Sequence, residues 1–282
     1  MLNFEQTFLE WCKQENIRVI SQNPILYGIQ LFVTDGKDTV SIHLYNKGTV
    51  LIQGKPCPLL ERMEKQYSKA PSPVSFDHIG MDEAGKGDYF GPLSVACAYI
   101  KKEQEFELRK AGIKDSKEIS DPRILEIYRD YQNKVAHEIL VLMPAEYNQK
   151  YIEFYNLNTM LAWAHAQTLE KLLGRVPAKV AIADQFANPR VLERQLLSKG
   201  QEIKLIQQVR AESDTAVAIA SIFARAAFLQ GLENLRKEYN IDFPKGAYGV
   251  EKIGKEFVQK YTREKLFYVA KLHFKTTNLI VR

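Results

Sequence analysis

Long hydrophobic runs are missing from this 282-residue chain. No apolar stretch approaches the ~18 residues that span a bilayer, so no membrane association is expected. Cysteine is scarce. Cys12, Cys57 and Cys97 are far apart, odd in number and in no metal-ligand spacing, which argues against a disulfide scaffold or a zinc site. They read as reduced core thiols of a cytoplasmic protein. Low-complexity tracts and internal repeats are absent, so neither a disordered tail nor a solenoid is expected. The opening stretch MLNFEQTFLEWCKQE is amphipathic and contains acids, unlike a signal peptide. What remains is an ordinary composition, 45% hydrophobic and 26% charged, with enough chain for one large domain or two modest ones.

A strong overall charge is also lacking: the net value is +5. Its distribution says more. Residues 1–75 carry +1 and residues 76–243 carry −2, so the last 39 residues hold +6. There the cations are interleaved with Tyr248, Phe257, Tyr261, Phe267, Tyr268 and Phe274. Such a segment suits a phosphate backbone, and equally describes a solvated helix face over core aromatics.

KAPSPVS, Lys69 to Ser75, separates two patterned regions, with residues 71–75 as the linker. Before it, residues 4–16 read as a helix. YGIQLFVTD, DTVSIHLYN and GTVLIQGK read as three antiparallel strands, the first two joined by the turn Asp35-Gly36-Lys37. Residues 1–70 are therefore a small α+β domain. After the linker, residues 76–282 alternate between strands and helices. HIGMDEAG, PLSVACAYI, KVAHEILVLMP, AKVAIADQF and IKLIQQVRA are the strands. SDPRILEIYRDYQ, a single stretch from about 144 to 174, and SDTAVAIASIFARAAFLQGLENLRKEY are the main helices. Five strands with helices on both faces predict a three-layer α/β domain.

GMDEAGKG, Gly80 to Gly87, comes within one residue of a phosphate-binding P-loop, but glycine stands where Ser or Thr must ligate magnesium. Asp82 and Glu83 inside it would repel phosphates. They end the first strand of the second region; Asp184 ends another, and Glu212 and Asp214 follow the last. Ligands bind at the carboxyl ends of strands in open α/β sheets. One acid at such a place is commonly a helix cap. Three strand ends carrying acids form a cluster that is costly unless cations fill it, and oxygen-rich sites prefer magnesium or manganese. Gly85-Lys86-Gly87 would then let the backbone approach a nucleic-acid strand.

Together GMDEAGKGDYFGPL, IKDSKEIS, AIADQF, RAESDTAVAIASIFAR, FPKGAYGV and VAKLHFKTT resemble the ribonuclease HIII branch of the type 2 ribonucleases H. The likeness runs from about Phe76 to the end. Lys86, where ribonuclease HII relatives usually carry Arg, favours that branch, as does the small N-terminal sheet, which resembles its TATA-box-binding-protein-like domain. The resemblance implies a ribonuclease H-like catalytic domain with four acidic metal ligands. Asp82, Glu83 and Asp184 match the first three. Glu212 is the preferred fourth and Asp214 its rival; Asp214 or Ser213 also reads as the N-cap of the long helix. Ser116, Lys117, Lys245 and Gly246 match segments near the substrate, though AYG after Gly246 departs from the family's run of small residues. In the N-terminal sheet Tyr27, Tyr45, Lys47, Gln53 and Lys55 are candidate contacts, though each taken singly reads more readily as a plain surface residue.

The implied activity is cleavage of the RNA strand of an RNA–DNA hybrid by a monomer. Two Mg²⁺ or Mn²⁺ ions about 4 Å apart would bridge the scissile phosphate and leave 5′-phosphate and 3′-hydroxyl ends. The Gly85-Lys86-Gly87 backbone would sense the 2′-hydroxyl that tells RNA from DNA. A non-catalytic hybrid-binding module is the alternative; it would keep the basic tail and the small sheet and need no acid cluster.

Overall fold

The computed structural model describes residues 4–25, 28–45, 50–55, 57–67, 76–208 and 211–282. The chain divides into two units, Met1–Ser72 and Pro73–Arg282. In the first, α1 (Phe4–Gln14) precedes β1 (Arg18–Ile25), β2 (Gly28–Thr34), β3 (Thr39–Tyr45), β4 (Val50–Gln53) and α2 (Pro58–Tyr67). The four strands form an antiparallel sheet in sequential order. Leu31 and Val33 of β2 and Val40, Ile42 and Leu44 of β3 point to one face and bury against Phe8, Cys12, Leu59 and Met63 of the helices. At the β2–β3 turn Gly36 has φ +95°, and Asp35 Oδ1 accepts the backbone N–H groups of Lys37 and Asp38 at 3.0 and 2.9 Å.

Two elements here were not expected. RVISQNPI of β1 has no apolar alternation because all but its last residue is exposed. It is an edge strand with a register shift between Val19 and Ser21, the sort of irregularity that blunts an open edge. α2 brings Leu59 and Met63 under the sheet. At its start Cys57 is half-buried, and its Sγ accepts the Leu60 N–H at 3.4 Å, so this thiol sits at a helix start rather than in the core.

The second unit runs β5 (His78–Ala84), β6 (Leu93–Ile100), α3 (Glu105–Lys110), α4 (Asp121–Tyr131), β7 (Ala136–Leu142), α5 (Pro144–Phe154), α6 (Leu157–Leu173), β8 (Val180–Asp184), α7 (Pro189–Glu193), α8 (Ser198–Gln201), β9 (Lys204–Gln208), α9 (Thr215–Tyr239), α10 (Glu251–Lys260) and α11 (Thr276–Ile280). The five strands lie in the order β7-β6-β5-β8-β9. β5 is antiparallel to β6 and parallel to β8, and β8 is parallel to β9. All eight residues of β6 are buried, because α4 and α9 cover one face and α6 the other. The stretch from 144 to 174 is two helices, not one. Tyr155 adopts a left-handed φ of 49°, and the Asn156 side chain then caps α6 by accepting the Thr159 N–H at 3.0 Å.

α9 is apolar enough to pass as a membrane span, with a mean hydropathy of 1.5, yet 83% of that window is buried inside the fold. It is a core helix. Its first turn crosses β5 so closely that a Cβ on Gly80 would overlap the backbone of Ala216 and Val217. Asp214 is its N-cap, accepting the Ala216 and Val217 N–H groups at 2.9 and 3.0 Å. The same buried carboxylate meets His78 Nε2 at 2.9 Å, so the starts of β5 and α9 are tied together. Gly80 thus belongs to strand packing, and GMDEAGKG is not a phosphate loop.

Candidate active site

β5 and β8 are registered with Gly80 beside Ile182 and Met81 beside Ala183. The next residues of the two strands are Asp82 and Asp184. Side chains alternate along a strand, so these two share the face of Gly80 and Ile182, which packs on α9. Glu83 shares the face of Met81 and Ala183, which packs on α6. At the strand ends all three acids reach one cleft of about 470 Å³.

Asp82 Oδ1 accepts the Glu83 N–H at 2.8 Å. Burial and the neighbouring Glu83 carboxylate push the Asp82 carboxyl well above the usual carboxylate range, against the pull of the Glu83 N–H and the charge of Lys117. Glu83 is also buried, but His165 and Lys86 outweigh that and hold it below its ordinary value. His165 Nε2 lies 3.2 Å from Glu83 Oε2, and Lys86 Nζ lies 3.4 Å from Oε1. Asp184 Oδ1 accepts the Ala211 N–H at 3.2 Å, tying the end of β8 to the short 3-10 turn Ala211–Ser213 that carries Glu212. The Glu212 side chain lies outside the described residues. Among the described residues no three His, Cys, Asp or Glu side chains converge into a ready metal cage, consistent with alternation turning Glu83 toward α6. The donor set still suits a hard divalent cation: crowded carboxylate oxygens, one of them resisting ionisation until positive charge arrives. Asp82, Glu83 and Asp184 fit that group.

The glycine turn divides its labour. Gly85 has φ +86°, and a Cβ there would run into the Pro92 carbonyl and the Phe228 ring. It is glycine for the fold. Nothing lies within 4 Å of a Cβ placed on Gly87, so that residue leaves open space at the cleft. Asp88 then accepts the Gly246 N–H at 2.6 Å, joining the turn to the Lys245-Gly246 segment. Lys271 is fully buried and donates to the carbonyls of Asp88 and Gly91 at 2.8 and 2.7 Å. Burial lowers its pKa to about 7, against the charge of Asp88.

Ser116 and Lys117 line the acid cleft and also an adjoining hollow of about 440 Å³ with Lys245. The Ser116 backbone N–H donates to Ser221 Oγ of α9 at 3.2 Å, and Asp115 accepts the Lys117 N–H. Asp121 pairs with both Lys245 and Arg225, and Arg225 borders both hollows. In the first unit Tyr45 ends β3 and its side chain is outside the described residues, as are Tyr27 and Lys47 altogether. The aromatics of the basic tail are divided: Phe257 is fully buried against Tyr239 and Phe243, Tyr261 and Phe274 pack partly buried against the same cluster, and Tyr248 and Tyr268 are exposed. His273 stacks on Tyr151, and burial drops its pKa to about 4, which suits a structural ring.

His165, Phe186, Arg225 and Lys271 were not found from sequence. Each is a residue of a common type whose partner is distant in the chain; Phe186 in AIADQF, Arg225 in RAESDTAVAIASIFAR and Lys271 in VAKLHFKTT lay within motifs already read but were not singled out, and His165 lay in none of these.

A mixed sheet covered on both faces, with acids at adjacent strand ends beside cationic side chains, defines a ribonuclease H-like fold. The ribonuclease HII family model matches residues 79–277, and the model described as RNase LS, bacterial toxin matches residues 4–71. The chain is 40% identical to ribonuclease HIII of Protochlamydia amoebophila over 255 residues, 87% of this chain and 85% of the relative. It is 38% identical to ribonuclease HIII of Chlamydia felis, covering 86% and 84%. Its fold matches the crystal structure of Bst-RNase HIII in complex with Mn²⁺ at TM-score 0.72 and 29% identity, covering 98% and 96%. Aquifex aeolicus RNase H3 matches at TM-score 0.59 and 26% identity, covering 98% of each chain. The chain belongs to the ribonuclease HII family, in its ribonuclease HIII branch.

Proposed function

We propose that this chain hydrolyses the RNA strand of RNA–DNA hybrids endonucleolytically, leaving 5′-phosphate and 3′-hydroxyl ends. The observation that carries the reading is the placement of Asp82 and Asp184 directly after the paired residues Met81 and Ala183 of adjacent parallel strands, in one cleft with Glu83 and flanked by Lys86 and Lys117. Asp82, Glu83, Asp184 and Glu212 would hold the divalent cations, two per site once substrate is bound, and such ions would supply positive charge to the scissile phosphate and its attacking and leaving oxygens. Asp82, pressed toward its neutral form by burial and Glu83, is the acid whose ionisation gains most from such charge. Lys86, Lys117 and Lys245 offset the phosphates on either side of the cleft. Gly87 leaves its backbone open to a ribose 2′-hydroxyl. Residues 1–70 bind hybrid without taking part in the chemistry, through groups such as Tyr45 and Lys47, and the protein acts as a cytoplasmic monomer.

The test is cleavage of an end-labelled hybrid, a matching DNA duplex and a single-stranded RNA, with Mg²⁺ or Mn²⁺ and with EDTA. Cutting of the hybrid's RNA strand alone, ending on 5′-phosphates and abolished by EDTA, is expected. Cleavage indifferent to EDTA, or equal on DNA, overturns the reading.

A further inference from the structure

We propose that His165 is a positioning residue for Glu83, donating its Nε2–H to one carboxylate oxygen so that the other is held toward the cleft. The inference rests on the metal-dependent reading above. His165 sits in the middle of α6 and is 1% exposed. Its Nε2 is 3.2 Å from Glu83 Oε2, across 82 residues of sequence. A carboxylate oxygen only accepts, so Nε2 carries the proton. Nδ1 is buried and, among the described residues, has no partner. A ring kept for packing alone would do better without that orphaned nitrogen, since an unpaired buried polar atom is costly. The bond to Glu83 is what the imidazole adds.

The ring is also locked. It stacks on Phe186 with centroids 5.3 Å apart and planes 12° apart. Phe186 lines the same cleft and carries Lys86 Nζ 5.3 Å from its centroid. Lys86 in turn meets Glu83 Oε1. The two oxygens of Glu83 are therefore distinguished: Oε2 is fixed from inside the fold, and Oε1 faces the residues of the cleft. Glutamate has three rotatable side-chain bonds, and anchoring one oxygen removes most of the conformations that a cation would otherwise have to select from. Groups that orient a metal-binding carboxylate in this way are worth about 10–100-fold in metal affinity.

The experiment measures Mn²⁺ binding to the full-length protein by calorimetry, without substrate, for wild type, His165→Phe, His165→Gln and Asp82→Asn. His165→Phe keeps a ring for Phe186 and loses the donor. His165→Gln places an amide N–H near the position of Nε2. Folding of each variant is checked by circular dichroism. A loss of about 10–100-fold in Mn²⁺ affinity for His165→Phe, largely recovered in His165→Gln, is expected. The Mn²⁺ dependence of hybrid cleavage should shift by the same factor, with kcat at saturating Mn²⁺ changing only a few-fold. Wild-type affinity in His165→Phe overturns the proposal, as does equal weakening in both histidine variants. If His165→Phe does not fold, His165→Asn, whose shorter amide does not reach Oε2, replaces it in the comparison. Asp82→Asn separates the two levels. If wild type and Asp82→Asn bind Mn²⁺ alike, the metal reading itself fails; if only Asp82→Asn loses binding, the role of His165 alone fails.

Discussion

The two sheets of this chain meet water differently. In the first unit, helices cover one face: Leu31, Val33, Val40, Ile42 and Leu44 are buried, while Gln30, Ser41 and His43 between them stay partly open. In the second, both faces are covered and β6 has no exposed residue. The inner strands of a sheet covered twice have no open face on which to keep charge. Their acids are pressed to the strand ends, where Asp82, Glu83 and Asp184 stand close enough to perturb one another, whereas Glu138 sits mid-strand only on the edge strand β7, paired with Arg175 at 2.6 Å. A sheet covered once spreads polar groups along its open face, as Gln30 does in donating to Ser41 Oγ on the neighbouring strand at 2.9 Å. The first arrangement concentrates charge enough for chemistry; the second distributes contacts, which serves binding.

The severest test of that contrast is Asp82→Asn. The amide has nearly the shape of the carboxylate, and Asp82 is already pushed toward its neutral form, so the fold should hold. Hybrid cleavage should fall on the order of 10³-fold, the scale of losing a group that acts on charge in the transition state. Single-turnover cleavage at fixed Mg²⁺ reads the effect, with circular dichroism confirming the fold. Turnover close to wild type would mean that the acids at the strand ends are caps and nothing more.

Next in size is the buried pair behind the site. Asp214→Ala removes the cap of α9 and leaves His78 buried without its carboxylate. Breaking a buried ion pair from one side costs about 3 kcal/mol. Burial alone would lower the His78 pKa, but the hydrogen bond and charge of Asp214 outweigh it and raise the net value above 6.5. A group with a raised folded pKa contributes stability that is complete below its unfolded pKa and is lost as pH rises through the folded one. The advantage of wild type over Asp214→Ala in urea unfolding should therefore be largest in mildly acidic solution and shrink above pH 6.5. Glu212→Gln, two residues away, should leave stability near wild type and cost cleavage instead. The opposite ranking would exchange the roles of the two acids.

The same contrast explains what could be read from sequence. All five strands of the second sheet were legible, because runs such as VAIAD and LSVACAYI are almost wholly apolar and are followed by polar or charged residues. β1 of the first sheet was not: RVISQNPI is an exposed edge, and no burial pattern is imposed on it. α2 was also unread, and the break at Tyr155 was hidden inside an otherwise helical pattern, although Asn156 was there as a cap. Asp82, Glu83 and Asp184 stood out by their place at strand ends. His165 did not, since its partner is fixed by the packing of α6 on β5 and not by spacing along the chain.

Deleting residues 1–70 removes the singly covered sheet and none of the acids. The deleted segment has a net charge near zero, so its contribution should come from shape and local contacts more than from long-range steering. Tethering a second binding surface raises its effective concentration, and its loss should raise KM about tenfold or more while kcat roughly holds. Steady-state cleavage by the folded truncation checks this. An unchanged KM would give the first unit another partner. A collapse of kcat would mean that it helps to place the strand at the acids, and the division between binding and chemistry would go with it.

The smallest expected effect lies in a single turn and separates two reasons for glycine. Gly80 in β5 has no room for a Cβ because α9 lies on it. Gly36, between β2 and β3, has all the room it needs: nothing lies within 4 Å of a Cβ placed there. Its constraint is the backbone, at φ +95°. Gly36→Ala should therefore cost about 1–2 kcal/mol, the strain of a left-handed L-residue, with Asn tolerated better than Ala because its side chain can bond locally. The loss should fall on the first unit, whose hairpin the turn closes, and leave cleavage at saturating hybrid unchanged. Hydrogen exchange read separately over residues 28–45 and 78–100 distinguishes the cases. Faster exchange confined to the first range supports two sheets that are stabilised independently. Equal loss of protection in both would show that they unfold as one, and that the open sheet shares in the stability of the closed one.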